Sequence, residues 1–141
     1  MIRFRIIIFS RFIGKITFYW LPVIIYMCLI FYLSSMPGTD VITKISINDK
    51  ILHSIEFFIL AVLLYRCFNN AKNRRIKENR YLLAVSLAIL YAVSDEFHQS
   101  FVPGRAADII DVIADSIGAV SIIGLGHIKM NYFNYFVKSR K

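Results

Sequence analysis

Four apolar stretches, each long enough to cross a bilayer, take up most of this chain, and a water-soluble fold has no place for them. They cover roughly residues 16–33, 51–68, 81–101 and 108–128. A membrane-spanning helix needs about 20 mostly apolar residues, at about 1.5 Å of rise per residue. The chain has 141 residues, 57% of them hydrophobic, and a mean hydropathy of +0.59. Soluble domains run at roughly 45–50% apolar, so the excess belongs in lipid. The fold class that follows is all-α, a four-helix transmembrane bundle.

Details within the stretches agree. Tyr19 and Trp20 stand near the start of the first, where amphipathic rings suit an interface. Pro22 is expected in its first turns, where a missing backbone donor costs least. Ala114, Gly118 and Ser121 in the fourth are small enough for close helix approach. Cys28 and Cys67 fall at different depths, so no disulfide is expected. The apolar run at residues 6–9 is too short for a signal-peptide core and no small-residue cleavage pattern follows it, so residues 1–15 are expected to be retained. That basic segment reads either as an amphipathic helix on the inner surface or as a frayed tail.

The net charge of +8 would suggest nucleic acid in a soluble protein, but here the bases flank apolar segments and no nucleic-acid partner is expected. Four precede the first stretch (Arg3, Arg5, Arg11, Lys15). Six lie between the second and third (Arg66, Lys72, Arg74, Arg75, Lys77, Arg80), and four follow the last (Lys129, Lys138, Arg140, Lys141). Only Lys44, Lys50 and Arg105 belong to the opposite side. Basic loops stay in the cytoplasm, so both termini are predicted inside. The domain division is a basic cytoplasmic segment 1–15, a membrane domain 16–128 and a basic cytoplasmic tail 129–141.

The acids then gather outside. Of the nine, only Glu78 is cytoplasmic. Lys50, His53 and Glu56 open the second stretch. Asp95, Glu96, His98 and Gln99 close the third, and Asp108, Asp111 and Asp115 open the fourth. Ionisable side chains at membrane depth are costly and usually functional, which makes this one outer-leaflet cluster the candidate site. Bland readings compete with that one. A helix N-terminus accommodates Glu56, Asp108 as a cap, and Asp111. A lone His near an interface is more often a hydrogen-bonding residue than a ligand.

Other positions resist such explanations. Asp95, His98 and Gln99 share a face at i, i+3 and i+4, with Glu96 about 100° away. Acids near a helix C-terminus oppose its dipole, so Asp95 and Glu96 are locally unfavourable, as functional residues tend to be. Asp115 lies about 10 Å inside its helix, where no cap explains it. Arg105 follows Val102, Pro103 and Gly104 in a turn. It serves either as a salt bridge to the acids or as a planar fork for an anionic ligand. Two His and several carboxylates offer the donors for a divalent metal, without any specific metal signature. A hydrogen-bonded network is the more economical alternative.

Several runs in order carry a resemblance. These are Ser34 to Gly38, Asp49 to His53 with Glu56, Asp95 to Arg105, and Asp111 to Ala119. In these the chain resembles the VanZ-like family of small bacterial membrane proteins, over roughly residues 34–126. Met36 departs from the polar residue usual there, and Asp115 stands where many members have Asn and others Asp. The resemblance implies a multi-pass protein of the bacterial cytoplasmic membrane and cell envelope, whose namesake is associated with antibiotic resistance, to teicoplanin. It supplies no reaction.

Three functions stay open. The first is binding or modifying a lipid-linked envelope molecule or an amphiphilic antibiotic. The second is a hydrolase or transferase acting on a lipid headgroup, with His53 or His98 as acid or base, an Asp orienting it and Arg105 steadying an anion. The third is a structural or assembly subunit. Transport does not fit four short helices with an apolar cytoplasmic half.

Overall fold

A computed structural model describes residues 2–37 and 46–138, with side chains for 17–37 and 50–126. The side chains of the terminal basic residues and of Asp49, together with Gly38 and Lys44, lie outside what is described. The elements are α1 (Ile2–Ser34), α2 (Ser46–Asn69), a short α3 (Arg74–Glu78), α4 (Arg80–Gln99) and α5 (Ile109–Lys138). Four of them contain apolar spans: Thr17–Ser34, Lys50–Asn69, Arg80–Gln99 and Ile109–Gly126. In lipid every backbone polar group must be satisfied within the protein, and helices do that segment by segment. Helix also continues beyond the spans, since α1 reaches back to Ile2 and α5 runs on to Lys138.

That continuation changes the reading of Pro22. It sits well inside α1 rather than in its first turns. Proline lacks the N–H that the carbonyl four residues earlier requires. Arg66 of α2 donates to that carbonyl, Phe18 O, at 3.4 Å, and Cys67 Sγ donates to Tyr19 O at 2.9 Å. A neighbouring helix thus supplies the donors, as membrane proteins do at such breaks. Both cysteines are free thiols.

α2 is the hub. It packs against α1, α4 and α5, while α1 and α5 do not touch among the described residues. Its large side chains Phe57, Leu60 and Leu64 fill the core. α4 contributes Ala84, Ala88 and Ala92, spaced one turn apart, so that its backbone comes close. Gly118 of α5 faces the Ser54 carbonyl of α2, and a Cβ there would overlap the backbone. Outside, Leu82, Leu90, Ile110, Ile113 and Ile117 are exposed, a surface that only lipid suits.

The up-and-down path gives the bundle two unlike ends. At one, Arg66 lies over the Phe18 ring at 4.6 Å and Arg80 over Tyr81 at 5.2 Å. At the other meet the C-terminal end of α1, the start of the α2 span, the end of α4 and the start of α5. The connection there turns at Val102–Arg105, where Arg105 N–H donates to Val102 O at 3.1 Å. Gly104 has φ 77, the left-handed value a type II turn demands after Pro103.

Candidate functional site

The eleven residues singled out in the sequence all lie at this second end, but they do not form one constellation. Ten of them divide into four groups by the partners their side chains meet, and Glu56 is the eleventh.

The most buried group joins three helices. His53 of α2 pairs through Nδ1 with Asp115 Oδ1 of α5 at 3.2 Å. Glu96 of α4 completes it: one donor atom from each of His53, Glu96 and Asp115 lies within 4.8 Å of the others. Asp115 is 1% exposed and Glu96 4%. Each carboxylate is held by one oxygen only. Glu96 Oε2 accepts the Asp108 backbone N–H at 2.9 Å, while Glu96 Oε1 and Asp115 Oδ2 are buried with no hydrogen-bond partner.

Beside it, Lys50 bridges Asp108 and Asp111. Its ammonium donates to Asp108 Oδ2 at 2.9 Å and to Asp111 Oδ1. Asp108 is also the N-cap of α5, accepting from Ile110 N–H at 2.9 Å. That amide, and then the Lys50 ammonium, hold the Asp108 carboxyl below its ordinary range. Asp108 thus caps α5 and holds Lys50 as well.

A third group runs from α4 to α1. Gln99 donates to Asp95 Oδ2 at 2.8 Å and accepts at Oε1 from Arg105 at 3.0 Å. Arg105 also donates to Met36 O at 3.1 Å and Leu33 O at 3.4 Å. Among the described residues it makes no ion pair, so of its two readings the salt bridge is not formed, and its donors go instead to Leu33 O at the end of α1 and to Met36 O just beyond it. Asp95 Oδ1 is left buried and unpartnered.

His98 stands apart from the other candidates on α4. Its Nε2 lies 2.9 Å from Ser35 Oγ, just past α1, and its ring stacks on Phe31 of α1 at 4.3 Å. Glu56 lies almost three turns into α2, because the helix begins at Ser46; a first-turn dipole role is thereby removed. Its carboxylate is within electrostatic reach of His53, Asp95, Asp115 and Arg105.

A groove of about 580 Å³ adjoins the buried group between α2 and α5, lined by Ile51, Phe58, Ile113 and Ile117 with Lys50 and Ser54. Sequence reasoning missed it, along with Ser54, which donates to Ala114 O at 2.8 Å. The spacing of Ser54 one turn after Lys50 was the available signal.

This geometry accompanies a match of the VanZ/LLP1 family profile over residues 18–130, which takes in all four spans. The chain belongs to the VanZ/LLP1 family. It is also 30% identical over 87 residues to an uncharacterized protein of the fission yeast Schizosaccharomyces pombe. The aligned stretch covers 62% of this chain and 49% of the yeast protein, about half the relative's length. No solved structure gives a significant match. As a VanZ/LLP1 member with four apolar spans, the protein is a multi-pass membrane protein.

Proposed function

We propose that this VanZ/LLP1 protein binds a membrane amphiphile, its acyl chain in the α2–α5 groove and its headgroup at the acidic end. The observation that carries the reading is the groove itself. Its volume suits a ligand pocket, its walls are apolar and face lipid, and it leads to Lys50 at the polar cluster. Fourteen basic residues against three support placing both termini in the cytoplasm and this end outside. The domain is then 16–128, between cytoplasmic basic segments 1–15 and 129–141.

An endogenous envelope lipid or lipid-linked precursor is the favoured occupant over a glycopeptide antibiotic such as teicoplanin. A fungal relative supports a membrane lipid, since fungi lack the peptidoglycan that glycopeptides target. Native mass spectrometry of the full chain from lipid nanodiscs tests this. Lipid adducts should be retained by the wild type, lost in Ile113→Trp and Ile117→Trp, and reduced in Lys50→Gln. Absent adducts, or adducts indifferent to the tryptophans, would overturn the reading, and selective displacement by teicoplanin would favour the antibiotic.

One observation favours a catalytic variant of this function. Asp115, almost wholly buried, orients His53 through Nδ1, the arrangement that readies an imidazole as general base. Conversion of an added lipid, abolished in His53→Ala, would establish a hydrolase or transferase.

A further inference from the structure

We propose that His53, Glu96 and Asp115 form a divalent-cation site buried between α2, α4 and α5. Three helices each contribute one donor, and these donors lie within 4.8 Å of one another. Donors about 2.1 Å from a tetrahedral ion stand roughly 3.4 Å apart, so ligation draws the three side chains inward from a separation of at most 4.8 Å.

The second observation is the state of the carboxylates. Glu96 and Asp115 are each fixed by one oxygen, to the Asp108 N–H and to His53 Nδ1, and each keeps a buried oxygen with no partner. Such orphaned acceptors are rare in folded proteins and costly in a low-dielectric interior. Neither described cation at this end relieves them. Lys50 is committed to Asp108 and Asp111, and Arg105 to Leu33, Met36 and Gln99. A divalent ion would satisfy both oxygens at once and offset their charge.

One imidazole and two carboxylates suit zinc, manganese or ferrous iron better than calcium or magnesium, which prefer all-oxygen sites. Three protein ligands leave coordination positions open. An anionic headgroup could then approach an end that its own carboxylates would otherwise make repulsive. The cation site stands whether or not a lipid fills the groove.

The full-length protein in nanodiscs, stripped with chelator and desalted after titration with Zn²⁺ or Mn²⁺, tests this by elemental analysis and thermal unfolding. One ion per chain and a raised Tm are expected. Glu96→Gln and Asp115→Asn should each weaken binding by at least the roughly 10–100-fold that losing a supporting partner costs. Asp95→Asn removes an equally buried acid outside the triad and should bind as wild type does. For Mn²⁺ bound to the wild type, pulsed electron paramagnetic resonance should show coupling to a histidine nitrogen, a readout independent of whether the variants fold. Retention of neither ion, absence of that coupling, or equal loss in Asp95→Asn overturns the site. Lipid adducts persisting without ion binding would overturn the cation site and leave the amphiphile reading intact.

Discussion

Arg105 donates to the carbonyl of Met36 at 3.1 Å, tying the α4–α5 turn to the end of α1. The last carbonyls of a helix lack an α-helical donor, and the guanidinium fork reaches one of them, Leu33 O, together with Met36 O just past the helix and Gln99. Arg105→Lys keeps the charge but cannot span three acceptors. We expect a loss of about 1.5–3 kcal/mol, the range for hydrogen bonds to a charged group. Faster hydrogen exchange at residues 33–37 should accompany it. Unchanged thermal unfolding and exchange would show that the fork is free for a ligand.

Gly118 and Gly124 lie on the same helix and make opposite predictions. A Cβ at Gly118 would run into the Ser54 backbone, whereas nothing lies within 4 Å of one at Gly124. Gly118→Ala must push α5 from α2, and overpacking of this kind costs about 1–3 kcal/mol. Gly124→Ala should be neutral or slightly stabilising. Equal unfolding midpoints for the two variants would contradict the close approach.

The spans were legible because hydropathy sums over some twenty residues, and the gathering of acids at one end followed from their direction. Their partners were not legible. Asp95, His98 and Gln99 share a helix face by spacing, yet His98 turns to Ser35 and Phe31. Glu96, set by periodicity about 100° away from that face, is the residue that meets α2 and α5. The reason is that α4 touches both α1 and α5 while these do not touch each other, so a small rotation around α4 changes the neighbour entirely. Pro22 and Glu56 were misplaced for a simpler cause: helices extend past the apolar stretches that reveal them.

Asp108 offers a titration test of the Lys50 bridge. The Ile110 amide and then Lys50 hold its carboxyl below the ordinary value. A depressed carboxyl gives stability that is present above its unfolded value and lost as pH falls through the folded one, so the window lies below about pH 4. Lys50→Gln removes only the second cause. The Asp108 midpoint, followed by carbon NMR of labelled aspartate, should rise yet stay below that of an unfolded peptide. A midpoint unmoved in Lys50→Gln would mean that the bridge does not form in the membrane.

Which compartment the acidic end faces decides what can reach it. Fourteen of the seventeen basic residues belong to the loops and termini of the opposite side, and moving such loops outward is resisted by the insertion machinery. The end beyond α2 carries the exposed α3 with Arg74, Arg75 and Lys77, whereas the acidic end carries the turn at Val102–Arg105. Gly104 is unsuitable for a probe because its φ of 77 disfavours any side chain, so the adjacent exposed Ala106 is the better position. In a background with Cys28→Ala and Cys67→Ala, Ala106→Cys should react with a membrane-impermeant maleimide on intact cells. Asn73→Cys, on the connection before α3, should react only after lysis. The reverse pattern would turn the molecule over, place His53, Glu96 and Asp115 at the cytoplasmic leaflet and exchange extracellular amphiphiles for cytoplasmic ones as the accessible ligands.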